Sequence, residues 1–280
     1  MSDYVAATLD LATIASGLDH AEGLCWDPER GCLWAGGEAG QVYRVTLDGL
    51  VTTTQQIDGG VLLGVALDAA GVLYLCDVGN HTVWRDDHEN APTRYGPFID
   101  YPNYAAFGPD GTLYVSDSGS FLEATGSIVA ISPDASSRVL DVAPIEYANG
   151  LCVREGYLYY VASALPGVWR VALTGGDREL VTTLSRCVPD GLAFDREGNL
   201  YISCYQPNQV WRLSPRGDLE LIIDDWTGEF ILSPTNVAFY GDDLERLALV
   251  SLCGHTMSSV DVGVGGAPVI RPVIRPVTKE

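Results

Sequence analysis

The 280-residue chain carries 16 basic and 37 acidic side chains, a net charge of −21, and is 47% hydrophobic. So acidic a surface repels phosphate backbones and anionic lipid, which argues against nucleic-acid and membrane partners, while the apolar share suffices for a large core. Seven cysteines without a CxxC pair read as reduced thiols of a cytoplasmic protein, with Cys25, Cys76, Cys152, Cys204 and Cys253 placed in apolar strands as small hydrophobes.

Met1-Ser2-Asp3-Tyr4 lacks the basic and apolar regions of a signal peptide. The first recognisable unit follows: Glu22, then Gly23-Leu24-Cys25-Trp26-Asp27, a turn, and Cys32-Leu33-Trp34-Ala35. The same order recurs from Leu63, Asn103, Asn149, Asp190 and Thr235, at steps of 40 to 46 residues. An internal period of that length, built from short apolar strands and Gly/Pro/Asp turns, specifies a radial array of blades. The longest apolar stretch, Val61 to Cys76, is absorbed by the second copy, so no membrane span remains. The expected fold is all-β, a six-bladed β-propeller with four antiparallel strands per blade, filling residues 1–280 as one domain.

In the fifth copy the strands are expected near Gly191–Asp195, Asn199–Cys204, Gln209–Leu213 and Leu219–Ile223. The last blade needs an outer strand. Tyr4 to Ala15 is the better donor, because Pro268, Pro272 and Pro276 remove ladder donors from the alternative, Ala267 to Val277. Chain direction sends the loops between second and third strands to the face where the inner strands begin. Asp117 to Gly126, carrying Phe121 and Glu123, and Asp224 to Pro234, carrying Trp226 and Phe230, are the long loops there and read as lids. Val42-Tyr43-Arg44, Val83-Trp84-Arg85, Val168-Trp169-Arg170 and Val210-Trp211-Arg212 recur on third strands, away from the axis, and read as blade packing. Ser118 and Ser163 read as loop hydroxyls, Asp224-Asp225 and Asp242-Asp243 as solvated turns, and His255 as a candidate for acid–base work.

A propeller turns its inner strands toward one channel, so the opening positions of the copies converge. Asn-Gly or Asp-Gly alone reads as a turn. Their recurrence in one position of separate blades, with Glu22 there too, points instead to a metal. Glu22, Asn149 and Asp190 offer only oxygen, and two carboxylates balance one divalent cation, Ca²⁺ foremost, with Mg²⁺, Mn²⁺ or Zn²⁺ as alternatives.

Taken in order, Glu22-Gly23, Pro102-Asn103 with Pro109-Asp110-Gly111, Asn149-Gly150-Leu151 and Pro189-Asp190-Gly191 resemble the regucalcin/gluconolactonase family of six-bladed propellers over roughly the whole chain. The resemblance implies one divalent ion on Glu22, Asn149 and Asp190, with Asn103 reaching ion or substrate. It also implies hydrolysis of lactones, with Asp190 as general base or as the group that orients the attacking water. Two positions depart from the family pattern. An Arg is replaced by Tyr101 and an Asp by Tyr104, which with Phe121, Trp226 and Phe230 suggests a substrate less polar than a sugar lactone; Asn103, Tyr101, Tyr104, Phe121 and Glu123 are the expected substrate-binding residues. The competing readings are a metal-independent, strictosidine-synthase-like enzyme and a non-catalytic sensor propeller with a structural ion.

Overall fold

The structure, a computed structural model, describes residues 9–274. Their regular structure is entirely strand: six four-stranded antiparallel sheets, five of them running from an inner to an outer strand in chain order. The inner strands are Leu24–Asp27, Leu62–Leu67, Pro102–Phe107, Ala148–Arg154, Val188–Phe194 and Pro234–Tyr240. Each touches the inner strand of the next sheet, and the last touches the first, so the ring closes. The fifth blade is built as Val188–Phe194, Leu200–Gln206, Gln209–Leu213 and Leu219–Asp224, close to the expected strands.

The sixth blade takes its outer strand from the N-terminal side. Ala12–Ser16 pairs antiparallel with Thr256–Val260. Residues 4–8 of the expected closing segment, and 275–277 of its rival, lie outside the described residues. The described tail runs across the face opposite the channel mouth. Ala267 N–H donates to the Phe194 carbonyl of the fifth blade, and Ala69 N–H of the second donates to Pro272 O, both at 2.9 Å.

The recurring glycines owe their place to packing. Gly23, Gly64, Gly150 and Gly191 are not among the positive-φ residues, so none needs the left-handed freedom of a turn. A Cβ on Gly23 would lie 2.2 Å from Leu63 O, on Gly64 2.6 Å from Asn103 O, on Gly150 2.1 Å from Asp190 O, and on Gly191 2.6 Å from Thr235 O. Each glycine therefore lets its strand lie against the opening residue of the next blade. The turn reading of these dipeptides fails because they stand within or at the start of strands.

Where the glycine is missing, a side chain enters the channel. The third and sixth blades carry Tyr104 and Asn236 there, and Tyr104 Oη donates to Asn236 Oδ1 at 2.8 Å. These blades are opposite in the ring, so the bond bars the channel. Such a bond contributes about 1 kcal/mol net.

The ladders shift register at the same positions: between Leu62 and Val65, Pro102 and Ala105, Ala148 and Leu151, Pro189 and Leu192, and Pro234 and Asn236. Bulges of this kind re-aim a side chain at the cost of a ladder bond. Second-strand serines recover two of the freed donors: Ser116 Oγ accepts from Tyr104 N–H and Ser203 Oγ from Gly191 N–H, each at 2.9 Å. At the other end of the inner strands, buried Asp27, Asp68 and Asp195 fold the following turn by accepting backbone N–H bonds. The third-strand motif packs within its blade: Arg94, on the paired outer strand, lies over the Trp84 ring at 5.1 Å.

Three local readings need correction. Cys253 is exposed on a turn, because it lies beyond the strand that ends at Ser251. Ser118 and Ser163 are buried clamps between blades, their hydroxyls donating to Ala148 O and Pro189 O at 2.7 Å. Asp225 is buried and accepts from Thr227 Oγ1 and from the N–H groups of Glu229, Phe230 and Ile231. Burial alone would raise its pKa, yet those donors together hold it below the usual value. The loop from Asp224 to Pro234 is thus anchored through Asp225 and the buried Ile231, and Trp226 stands outward, 82% exposed.

The glycine packing sets an expectation for Gly150→Ala. Its Cβ meets backbone, which cannot step aside as a flexible side chain would, so the substitution is expected to lower unfolding stability by about 3 kcal/mol. Chemical denaturation measures this; an unchanged midpoint contradicts the close approach.

Candidate metal and active site

The bulged openings of the fourth and fifth blades, and the segment just ahead of the first blade's inner strand, bring Asn149, Asp190 and Glu22 together at the mouth. Asn149 and Asp190 are buried, 3% and 6% exposed, and Glu22 is partly open to the mouth. The Asn149 amide lies near enough to the Asp190 carboxyl to favour its ionised form, and the Glu22 charge opposes that ionisation. Ser163 orients the amide: Asn149 Nδ2 donates to Ser163 Oγ at 3.2 Å while that hydroxyl donates to Pro189 O. This leaves Asn149 Oδ1 buried with no hydrogen-bond partner, a situation costing about 1–3 kcal/mol if nothing occupies the site. Thr235, at the opening of the sixth blade, donates its hydroxyl to Glu22 O at 2.8 Å and fixes the backbone there.

The electrostatics point the same way. Burial, and then the nearby Glu38 carboxylate, push Glu22 up to about 8. Burial, and then Glu22, push Asp190 well above the usual carboxylate range, against the lowering effect of Asn149. Two acids that resist ionisation, beside an orphaned amide oxygen, form a set that a divalent cation completes. The donors fit a hard ion such as Ca²⁺: all are oxygens and carry two potential negative charges.

The expected substrate residues fall into four places. Asn103 is buried, 3% exposed, in the opening position of the third blade. Tyr101 lies at the mouth, its ring 6.0 Å from that of Tyr147, which in turn meets Phe121 edge-on at 5.1 Å. Tyr104 does not stand at the mouth rim; its hydroxyl is committed to the cross-channel bond with Asn236. Glu123 is exposed on the 117–126 loop, beside Leu122, which is 92% exposed.

Tyr147 was not singled out in the sequence. It adopts φ 63, and burial, then Tyr101, then Glu22 and Asp190 raise its pKa above the ordinary value, which places its hydroxyl within reach of the site's charges. A positional signal existed. Tyr147 precedes Asn149 by two residues, as Tyr101 precedes Asn103 and His20 precedes Glu22.

Below the Tyr104–Asn236 bar the channel changes character. A cavity of about 470 Å³ opens toward the opposite face, lined by Leu24, Cys25, Leu67, Cys152, Phe194 and Phe239 among others, and by tail residues 267–271. Burial pushes the Cys152 thiol up to about 12. This lower cavity is mainly apolar, with the charged residues Arg154, Glu155, Asp242 and Arg271 also in its lining.

The raised Glu22 value carries a sign that can be checked. Ion-free native protein holds a proton near pH 7 that the unfolded chain releases near its ordinary value of about 4.3. The native state then binds more protons, so stability of the ion-free protein falls as pH rises from about 4.5 through about 8. A cation must displace those protons, so its affinity should rise over the same window, by up to about tenfold per pH unit for each proton displaced. Calcium titration calorimetry from pH 6 to pH 8 measures this; an affinity independent of pH contradicts the assignment.

Residues 20–252 match the family described as the SMP-30/gluconolactonase/LRE-like region. Among solved structures, a luciferin-regenerating enzyme is 20% identical, covering 94% of this chain and 99% of that one, with a TM-score of 0.78. A gluconolactonase from Xanthomonas campestris is 21% identical over 91% of this chain and 90% of that one, with a TM-score of 0.77. A calcium-binding regucalcin from Agrobacterium tumefaciens is 18% identical over 94% and 99%, with a TM-score of 0.76. Comparison with curated protein sequences gives no match. The structural likenesses speak for the shared propeller; the match along residues 20–252 shows that the chain belongs to the SMP-30/gluconolactonase/LRE-like family.

Proposed function

We propose that this protein is a divalent-metal-dependent lactone hydrolase, with the ion, Ca²⁺ foremost, held by Glu22, Asn149 and Asp190. The observation that carries the reading is the buried, partnerless Asn149 Oδ1 beside two acids whose ionisation burial opposes. The related gluconolactonase and calcium-binding regucalcin support both halves of it. When bound, the cation would polarise the ester carbonyl and favour ionised oxygen ligands.

The chain's own residues supply the rest. Asp190, held by Asn149, is the general base: it takes a proton from the attacking water as the water oxygen bonds to the carbonyl carbon. As the ring C–O bond breaks, that proton passes from Asp190 to the departing oxygen, leaving a hydroxy acid. Asn103, buried at the opening of the third blade, offers an amide to the substrate or the ion. Tyr101, Tyr147 and Phe121 form an aromatic wall where a sugar-binding site would carry charged groups, so the favoured lactone is aliphatic or aryl. The seven free thiols fit a reducing, cytoplasmic setting.

A lactone panel assayed with and without chelator tests the reading. Activity is expected to disappear with EDTA and return with Ca²⁺, and Asp190→Asn is expected to lower kcat by about a hundredfold or more. Full activity after verified ion removal would overturn the metal dependence. A strong preference for gluconolactone over an aliphatic or aryl lactone would overturn the substrate class.

A further inference from the structure

A second group of ligating side chains lies at the ring-closure seam, outside the Glu22–Asn149–Asp190 set. One ligand atom each from Asp19, His20 and His255 falls within 4.8 Å of the other two. Asp19 and His20 follow directly on the closing strand Ala12–Ser16, and His255 sits in the turn before its partner strand Thr256–Val260. The two segments are already joined by backbone, since Gly17 N–H and Leu18 N–H both donate to His255 O, at 2.8 and 3.2 Å.

Two of the three members, His255 and Asp19, are held from behind. His255 Nδ1 lies 2.9 Å from Leu18 O, so it donates to that carbonyl and turns Nε2, with its lone pair, outward. Asp19 Oδ2 accepts from Gln41 Nε2 at 3.0 Å, leaving Oδ1 for His20 Nδ1 at 2.9 Å. Glu38 Oε2 lies 3.7 Å from the same His20 nitrogen. His20 adopts φ 48, a backbone conformation unusual for a residue other than glycine. Ligands whose remaining polar atoms are fixed by a carbonyl or amide are the pattern of a built metal site.

We propose that Asp19, His20 and His255, with Glu38 beside them, bind a borderline divalent ion of the zinc class and clasp the closing strand to the mouth-side turns of the sixth and first blades. Two imidazoles and a carboxylate select such an ion, whereas the all-oxygen axial set selects a hard one. The carboxylates of Asp19 and Glu38 balance its charge. On binding, the ion replaces the proton shared between His20 Nδ1 and Asp19 Oδ1, and that proton leaves to solvent. This site does not depend on the hydrolase reading.

Cobalt, a coloured substitute for zinc, separates the two sites when calcium is held in large excess to fill the axial one. The wild-type protein is expected to take up one equivalent of Co²⁺ with visible absorption of imidazole ligation. His20→Ala and His255→Ala should each weaken uptake at least tenfold, and Asp190→Asn should leave it intact. Should those His variants not fold, the wild type alone decides. Zinc should protect His20 and His255 from diethyl pyrocarbonate, read by mass spectrometry, and raise Tm by about 5 °C or more at a hundredfold excess over Kd. The proposal is overturned by absence of saturable uptake, by both histidines reacting freely at saturating zinc, by loss of uptake in Asp190→Asn, or by a thiolate charge-transfer band that Cys253→Ser removes.

Discussion

Everything at the channel mouth depends on how closely neighbouring inner strands approach. Gly23, Gly64, Gly150 and Gly191 bring each strand against the opening residue of the next blade, with no room for a Cβ. In the second to sixth blades the ladder shifts register at the opening, and such a bulge re-aims the opening side chain. The donors freed at two of these bulges are satisfied by Ser116 and Ser203. The arrangement gives the opening residues little freedom to move: Asn149 and Asp190 are set by bulges in their own blades, and Glu22, just ahead of its strand, by the Thr235 hydroxyl on its carbonyl. The site is therefore built on strands, which hold catalytic geometry more firmly than loops do.

The same closeness creates the electrostatic tension of the site. Glu22 and Asp190 are drawn from water and toward each other, and both carboxyls shift upward in consequence. Asn149 cannot relieve this alone, since its amide donor side serves Ser163 and Asp190 while its oxygen stays without a partner. A single cation would reverse all three costs together. The Tyr104–Asn236 bar closes off the polar mouth below, where the channel becomes apolar and is bordered by the tail.

The blade architecture was legible because its cause is periodic: one strand-turn-strand unit repeated at nearly constant spacing, with a polar residue surfacing in one position of it. Glu22, Asn149 and Asp190 could be grouped from that position alone, since a ring brings equal positions to one axis. What stayed hidden depends on contacts between distant segments. Asn149-Gly150 and Asp190-Gly191 look like turns until the neighbouring backbone is seen to leave no space beside the glycine. Asp225 looks solvated until the loop that follows folds back and donates to it. Tyr104 was read as facing substrate because its opposite partner, Asn236, is 132 residues away in sequence. The grouping of His20 with His255 has the same origin, because the closing strand joins the two ends of the described chain.

Anomalous diffraction from crystals soaked in Mn²⁺ gives the most direct test of the axial assignment, since manganese accepts the same oxygen ligands as calcium and scatters with its own signature. One strong peak is expected on the channel axis, bounded by the carboxylates of Glu22 and Asp190 and by Asn149 Oδ1. A map without density there at saturating manganese, or with Asn149 Oδ1 turned away from the peak, would contradict it.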